Sequence, residues 1–156
     1  NIKIYKGEKI ADLFIKSVKL LKPINCPTKL NSSAIDEFLL IFLLAAKAKG
    51  ISTFKNLAEL NQKESPRLIW GSRILNKMGI KTILKKDSLK IYGDPNLEIN
   101  NDIKIDKYLK DHRVFMSCVI AALTFGGKWK ISDKDSIKTS FPTFLEKIRS
   151  LGADIR

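Results

Sequence analysis

The chain has 156 residues, 44% of them apolar, enough to close one sizeable core as a single domain or as part of a larger one; this composition argues against disorder. Its 29 Lys and Arg outnumber 16 Asp and Glu, a formal net charge of +13, so the mean field attracts anions such as phosphate esters or nucleic acid without choosing among them. Only five of those cations are Arg (Arg67, Arg73, Arg113, Arg149 and Arg156), whereas bidentate recognition of phosphate or guanine favours guanidinium, so most of the Lys read as a solvated surface.

Residues 1–9 are polar and strand-like with no secretory apolar region, and the absence of an initiating Met fits a fragment. Residues 2–5 and 11–16 read as two strands joined by a turn around Lys6, Gly7 and Glu8, with Ile2, Ile4, Leu13 and Ile15 at alternating positions. An irregular link holding Pro23, Cys26 and Pro27 follows. Cys26 and Cys118 match no metal-ligand spacing, and Cys118 lies in an apolar run where a reduced buried thiol is expected, which suggests a reducing cytoplasm. Residues 36–49 predict a helix apolar on nearly every side, closed by Gly50, and its run 38–46 is too short to span a bilayer. A short strand at 51–54 leads to a helix with Ser65 as N-cap, Pro66 at the first helical position and Gly79 as its stop. A hairpin is expected from 80–84 and 89–92 around Lys86, Asp87 and Ser88.

The same order then recurs. Residues 111–125 predict a second largely apolar helix stopped by Gly126 and Gly127, residues 129–131 a strand, and Ser140 a cap for a helix ending at Gly152. Matching Ala45, Ala46 and Gly50 to Ala121, Ala122 and Gly126 gives a constant offset of 76, and Gly79 to Gly152 gives 73, which a three-residue deletion explains. The expectation is a duplicated unit at about 36–93 and 111–156; two ordinary helix and strand segments that share glycine stops by chance remain the alternative.

Both units place charges where helices begin and unpaired N–H groups favour anions: Asp36, then Lys63, Glu64 and Arg67, and in the second unit Asp111, His112 and Arg113. Plainer roles exist for each. Asp36 and Asp111 suit ordinary N-caps, the 63–67 charges suit a solvated first turn, and His112, the only His, suits a structural residue with no His or Cys partner for a metal. No glycine-rich phosphate loop is present in the sequence.

These residues also carry a resemblance. Lys63-Glu64-Ser65-Pro66-Arg67 is similar to the K-E-S/T-x-R signature of the EPSP synthase (3-phosphoshikimate 1-carboxyvinyltransferase) family, and Asp111-His112-Arg113 resembles its D-H-R motif. Thr139-Ser140-Phe141-Pro142-Thr143-Phe144 resembles the family's S/T-F-P-x-F segment, Ile35-Asp36-Glu37-Phe38 its active-site Asp before an alanine-rich helix, and Gly7-Glu8-Lys9-Ile10-Ala11-Asp12 its G-E-P-x-A-D. The resemblance implies an α+β fold of repeated βαβαββ units, the inverse α/β barrel of enolpyruvyl transferases, here incomplete. It implies transfer of the enolpyruvyl group of phosphoenolpyruvate to the 5-hydroxyl of 3-phosphoshikimate, with release of phosphate and without a cofactor.

By the same resemblance, Asp36 binds the ring hydroxyls of 3-phosphoshikimate and accepts the proton, Lys63 contacts the same hydroxyl, and Glu64 donates to the methylene carbon. Glu59 falls beside 3-phosphoshikimate, Arg67 and Arg113 hold phosphoenolpyruvate, and His112 supports the site. Asp36, Lys63, Arg67 and Arg113 are therefore expected on one face at helix N-termini. Two positions depart from the pattern: Pro66 replaces an Asp or Asn, and Thr139 stands where some members have a Lys that contacts phosphoenolpyruvate, with Lys138 adjacent. The resemblance covers the last third of the family's length, so the N-terminal part of the same enzyme is the implied partner and the fragment is expected to be inactive alone. A UDP-N-acetylglucosamine enolpyruvyl transferase is the nearest rival, disfavoured by its different residues at the two motifs. A basic nucleic-acid-binding module is disfavoured by the scarcity of Arg and of interleaved aromatics. Neither nucleic acid nor a membrane is an expected partner.

Overall fold

The computed structural model describes residues 2–12 and 14–155; Asn1, Leu13 and Arg156, the second of which was expected in a strand, lie outside the described residues. Strands β1 (Ile2–Tyr5) and β2 (Glu8–Ala11) form an antiparallel hairpin with Tyr5 opposite Glu8. Lys6 and Gly7 both take positive φ, 48° and 86°, the backbone of a two-residue turn whose twist matches the strands. The second strand therefore starts at Glu8 rather than at residue 11. The hairpin is exposed on both faces, and the apolar side chains Phe14, Ile15 and Val18 beyond it are exposed as well.

The link that follows runs beside a later strand, with single parallel bridges from Leu21 to Ala48 and from Asn25 to Thr53. Helix α1 (Phe38–Ala46) is shorter than the sequence predicts at both ends. Glu37 occupies its N-cap position without a side-chain capping bond; Asp36 does not cap, because its carboxylate faces Arg67 instead. At the other end the Lys49 N–H donates to Leu21 O, which draws the chain into strand β3 (Gly50–Phe54) before Gly50 can act as a helix stop. Leu40 and Leu44, one turn apart, are exposed, so α1 is not buried all round.

After a 3-10 turn at Ala58–Gln62 comes helix α2 (Arg67–Lys77). Pro66, not Ser65, takes its N-cap position; the Ser65 hydroxyl is turned inward to Asp111. Gly79 ends the helix as predicted, with φ 90° and bonds from Gly79 N to Asn76 O and from Ile80 N to Leu75 O, the paired closure that a left-handed glycine allows. Strands β4 (Thr82–Leu84) and β5 (Leu89–Gly93) form the predicted hairpin, and β5 lies between β3 and β4 in an all-antiparallel sheet.

An unanticipated strand, β6 (Asp102–Ile105), pairs in parallel with β7 (Lys128–Ile131). Between them runs helix α3 (His112–Phe125), capped by Asp111, whose side chain accepts from Arg113 N. The chain closes with a 3-10 segment at Lys134–Thr139 and helix α4 (Phe144–Ser150). Ser140 does not cap α4. Its N–H closes the 3-10 segment on Ile137 O, and Thr143 occupies the N-cap place after Pro142.

One core joins these elements. Phe38 and Phe42 from α1 meet Phe54 from β3 edge-on at 6.1 and 5.0 Å, and Leu68, Ile74 and Leu75 of α2 face them. Gly71 makes the α1 and α2 crossing close: a Cβ there would sit 2.6 Å from the Phe42 ring. Val114, Cys118 and Ala121 extend the same core along α3, so the N-terminal ends of α1, α2 and α3 are held near one another.

Candidate active site

Three chain segments, each at the start of a helix, meet around one guanidinium. Arg67 is the first residue of α2, and its side chain is only 2% exposed. A buried cation needs carboxylates, and the segments supply them. Arg67 Nε donates to Asp111 Oδ2 at 2.9 Å and Nη2 to Asp111 Oδ1 at 3.3 Å; Nη1 donates to Asp36 Oδ1 at 2.9 Å, and Nη2 also bonds Glu64.

Asp111 is wholly buried, and both of its oxygens are filled: Oδ2 also accepts from Ser65 Oγ at 2.8 Å and Oδ1 from Arg113 N at 2.9 Å. Burial alone pushes its carboxyl up, but the bonds from Arg67 and Ser65, the Arg67 charge and the Arg113 N–H hold it below the usual carboxylate range. Burial likewise opposes the Arg67 charge, and Asp111, Glu64 and Asp36 reverse that, raising its pKa. The pair is ionised at neutral pH.

Around this buried pair lies a half-exposed rim. Arg113 Nη1 donates to Asp36 O at 2.8 Å and to Glu37 Oε1 at 3.0 Å, and its Nη2 lies 3.7 Å from Asp36 Oδ2. Lys63 Nζ is 4.0 Å from Asp36 Oδ1 and 3.3 Å from Glu59 Oε1. Asp36, 44% exposed, thus faces three cations at once while remaining open to solvent. Such an arrangement can bind anions through Arg67, Arg113 and Lys63 and can accept or deliver protons through Asp36 and Glu64.

Of the sequence-predicted residues, Asp36, Glu59, Lys63, Glu64, Arg67 and Arg113 therefore share one connected cluster. His112, the first residue of α3, is half-buried and makes no side-chain hydrogen bond among the described residues. Lys138 pairs with Asp135, 3.0 Å away, rather than with any carboxylate of the cluster, and Thr139 is exposed. Three participants went unassigned by the sequence: Glu37, Ser65 and the buried side of Asp111. Ser65 and Asp111 carry ordinary cap signals, which conceal a side chain turned inward. Among the described residues no group of three His, Cys, Asp or Glu side chains is placed to hold a metal, and no helix is long and apolar enough to cross a membrane.

Fold and cluster together define a mixed α and β segment organised around guanidinium and carboxylate groups at helix starts. The family model for EPSP synthase (3-phosphoshikimate 1-carboxyvinyltransferase) matches residues 8–148, and the chain belongs to that family. It is 38% identical over 151 residues to the 3-phosphoshikimate 1-carboxyvinyltransferase of Zymomonas mobilis, covering 95% of this chain and 33% of that protein. It is 39% identical over 149 residues to the protein of the same name from Ruthia magnifica, covering 96% and 33%. A solved structure of EPSP synthase from Acinetobacter baumannii superposes with a TM-score of 0.86 at 35% identity, over 96% of this chain and 34% of that one. The chain spans about a third of the length of the curated relatives it matches.

Proposed function

We propose that this segment is part of an enzyme that joins phosphoenolpyruvate to 3-phosphoshikimate. The 5-hydroxyl oxygen adds to the enolic carbon, the methylene carbon gains a proton, and the resulting tetrahedral adduct loses phosphate and a proton to leave the enolpyruvyl ether. Asp36 takes the hydroxyl proton with Lys63 beside it, and Glu64 protonates the methylene carbon. Arg67 and Arg113 hold the carboxylate and phosphate of phosphoenolpyruvate, Glu59 lies beside 3-phosphoshikimate, and His112 supports the α3 start. The observation that carries this reading is the placement of Asp36 against Arg67, Arg113 and Lys63, where a proton acceptor and anion-binding cations share one half-open rim.

The same cluster argues that the segment works with the remaining two-thirds of the enzyme. Its three cations, Lys63, Arg67 and Arg113, face five carboxylates, Asp36, Glu37, Glu59, Glu64 and Asp111. Two multiply charged anions cannot settle into a cluster already short of positive charge, so further cations must come from the other part. In this reading residues 36–93 and 111–156 are copies of one βαβαββ unit of an inverse α/β barrel. The parallel bridges of Leu21 to Ala48, just before β3, and of Asn25 to Thr53 in β3 then correspond to β6 beside β7. The second copy has no counterpart of β4 and β5 among the described residues. The cavity of about 390 Å³ bounded by Phe115, Trp129, Ile137 and Leu145, together with exposed Leu40, Leu44, Phe14 and Ile15, is surface for the remainder to cover. Such an enzyme, cofactor-free, fits a cytoplasmic setting.

Joining this segment to the remaining two-thirds should give phosphate release that requires both substrates, while the segment alone gives little. Equal turnover by the segment alone would refute the incompleteness of the site, and no turnover by the joined enzyme would refute the activity.

A further inference from the structure

Asp36 lies two residues before α1 and Asp111 immediately before α3, and the two carboxylates are used differently. Asp36 is 44% exposed and faces the rim, whereas Asp111 has no exposed surface and cannot touch a bound anion. Asp111 nevertheless meets both arginines that face the rim. It holds the Nε edge of the Arg67 guanidinium, so that Nη1 and the outer side of Nη2 point toward Asp36 and Glu64. Through Arg113 N it also fixes the first turn of α3, from which the Arg113 side chain reaches Asp36 O and Glu37.

We propose that Asp111 is the positioning residue for the phosphoenolpyruvate subsite, aligning Arg67 through its side chain and Arg113 through its backbone; this rests on the functional reading above. Glu64 and Asp36 satisfy the outer guanidinium edge only while no ligand is bound, and an incoming carboxylate or phosphate replaces them. The inner edge stays on Asp111 throughout. A fork held on one side binds an anion on the other with little reorganisation, which is what makes a guanidinium selective for a planar carboxylate.

The acceptor pattern explains why an amide cannot substitute. Both Asp111 oxygens accept from N–H or O–H donors, Oδ1 from Arg113 and Arg67 and Oδ2 from Arg67 and Ser65. In Asp111→Asn the NH₂ group must face a donor whichever way the amide is turned. The fork is then released although volume and N-cap capacity are nearly kept.

The test is steady-state kinetics on the full enzyme carrying this segment. Losing a charge-assisted bond of this kind predicts that Asp111→Asn raises KM for phosphoenolpyruvate roughly 10- to 100-fold. KM for 3-phosphoshikimate should change by no more than about twofold. Because Asp111 acts through Arg67, the loss in Arg67→Lys, Asp111→Asn together should be much smaller than the product of the two single losses. An unchanged KM for phosphoenolpyruvate, an equal rise for both substrates, or independent effects would overturn the proposal. Should Asp111→Asn fail to fold, NMR on the wild-type full enzyme carrying this segment decides. The Arg67 Nε–H should stay protected from water exchange when phosphoenolpyruvate is added, while its Nη resonances shift; an Nε–H exchanging as freely as a solvated arginine would overturn it. That measurement needs no turnover, so it separates failure of this proposal from failure of the functional reading.

Discussion

Replacing Arg67 with Met keeps much of the side chain's length and apolar stem but deletes the one cation that, among the described residues, reaches Asp111. The carboxylate left behind has no exposure and keeps only Ser65 Oγ and Arg113 N as donors. Breaking a buried pair in this way typically costs about 3–5 kcal/mol. With a urea dependence of about 2 kcal/mol per molar, the unfolding midpoint at pH 7 should fall by roughly 1.5–2.5 M. The pH dependence carries a sign. In the parent chain the folded carboxyl lies below its ordinary value, so its contribution is complete above the unfolded carboxylate pKa, about 3.9, and is lost as pH falls through the folded value. In Arg67→Met burial dominates and the folded carboxyl lies above the unfolded value, so its cost is greatest at neutral pH and fades once the group is protonated. Urea titrations of both proteins at pH 7 and near pH 4 should therefore show a deficit that shrinks in acid. A deficit below about 1 kcal/mol, the range of an exposed ion pair, or one equal at the two pH values would refute the reasoning.

Two glycines should rank in a definite order. In Gly71→Ala the new methyl meets the Phe42 ring at 2.6 Å, an overpacking cost of about 1–3 kcal/mol set against roughly 1 kcal/mol of helix propensity, so a modest fall in Tm is expected. Gly93→Ala instead drives its methyl into the carbonyl oxygens of Ala45 and Ala48, backbone atoms that cannot turn aside, and should lower Tm more. The reverse order would contradict the packing described. The thiols should also differ: burial pushes both Cys26 and Cys118 up, but Cys118 is fully enclosed, so a disulfide reagent should modify Cys26 first and Cys118 only on unfolding. Equal rates in the folded chain would show that α3 opens readily.

Much of the helical framework was legible because its signals are local. Gly79 stops α2 through a backbone closure that the sequence marks with a single residue, and Asp111 caps α3 with the side chain its type predicts. The errors arise where a distant partner decides. Asp36 and Ser65 read as caps, yet both turn toward residues far along the chain, Arg67 and Asp111. Strand β6 alternates Asp102, Ile103, Lys104 and Ile105 over four residues, too short a pattern to stand out without β7, which follows only after a whole helix. The first hairpin went astray because the positive φ of Lys6, a residue with no special liking for it, fixes a turn shorter than the polar stretch suggests.

The cluster itself was foreseen through motif resemblance rather than through spacing. Residues 36, 63–67 and 113 have no periodic relation, and only the packing of α1, α2 and α3 brings their starts together. What resemblance left out was the interior of the cluster, where Ser65 and the buried carboxylate of Asp111 hold Arg67 in place.

The most direct measurement is phosphate release from phosphoenolpyruvate and 3-phosphoshikimate by the full enzyme carrying this segment, compared with its Lys63→Met and Arg113→Ala variants. If the rim handles the reacting anions, each variant should lose on the order of 100-fold or more in kcat/KM, with the Arg113→Ala loss falling mainly on phosphoenolpyruvate. Full activity in both variants would show that the chemistry lies elsewhere.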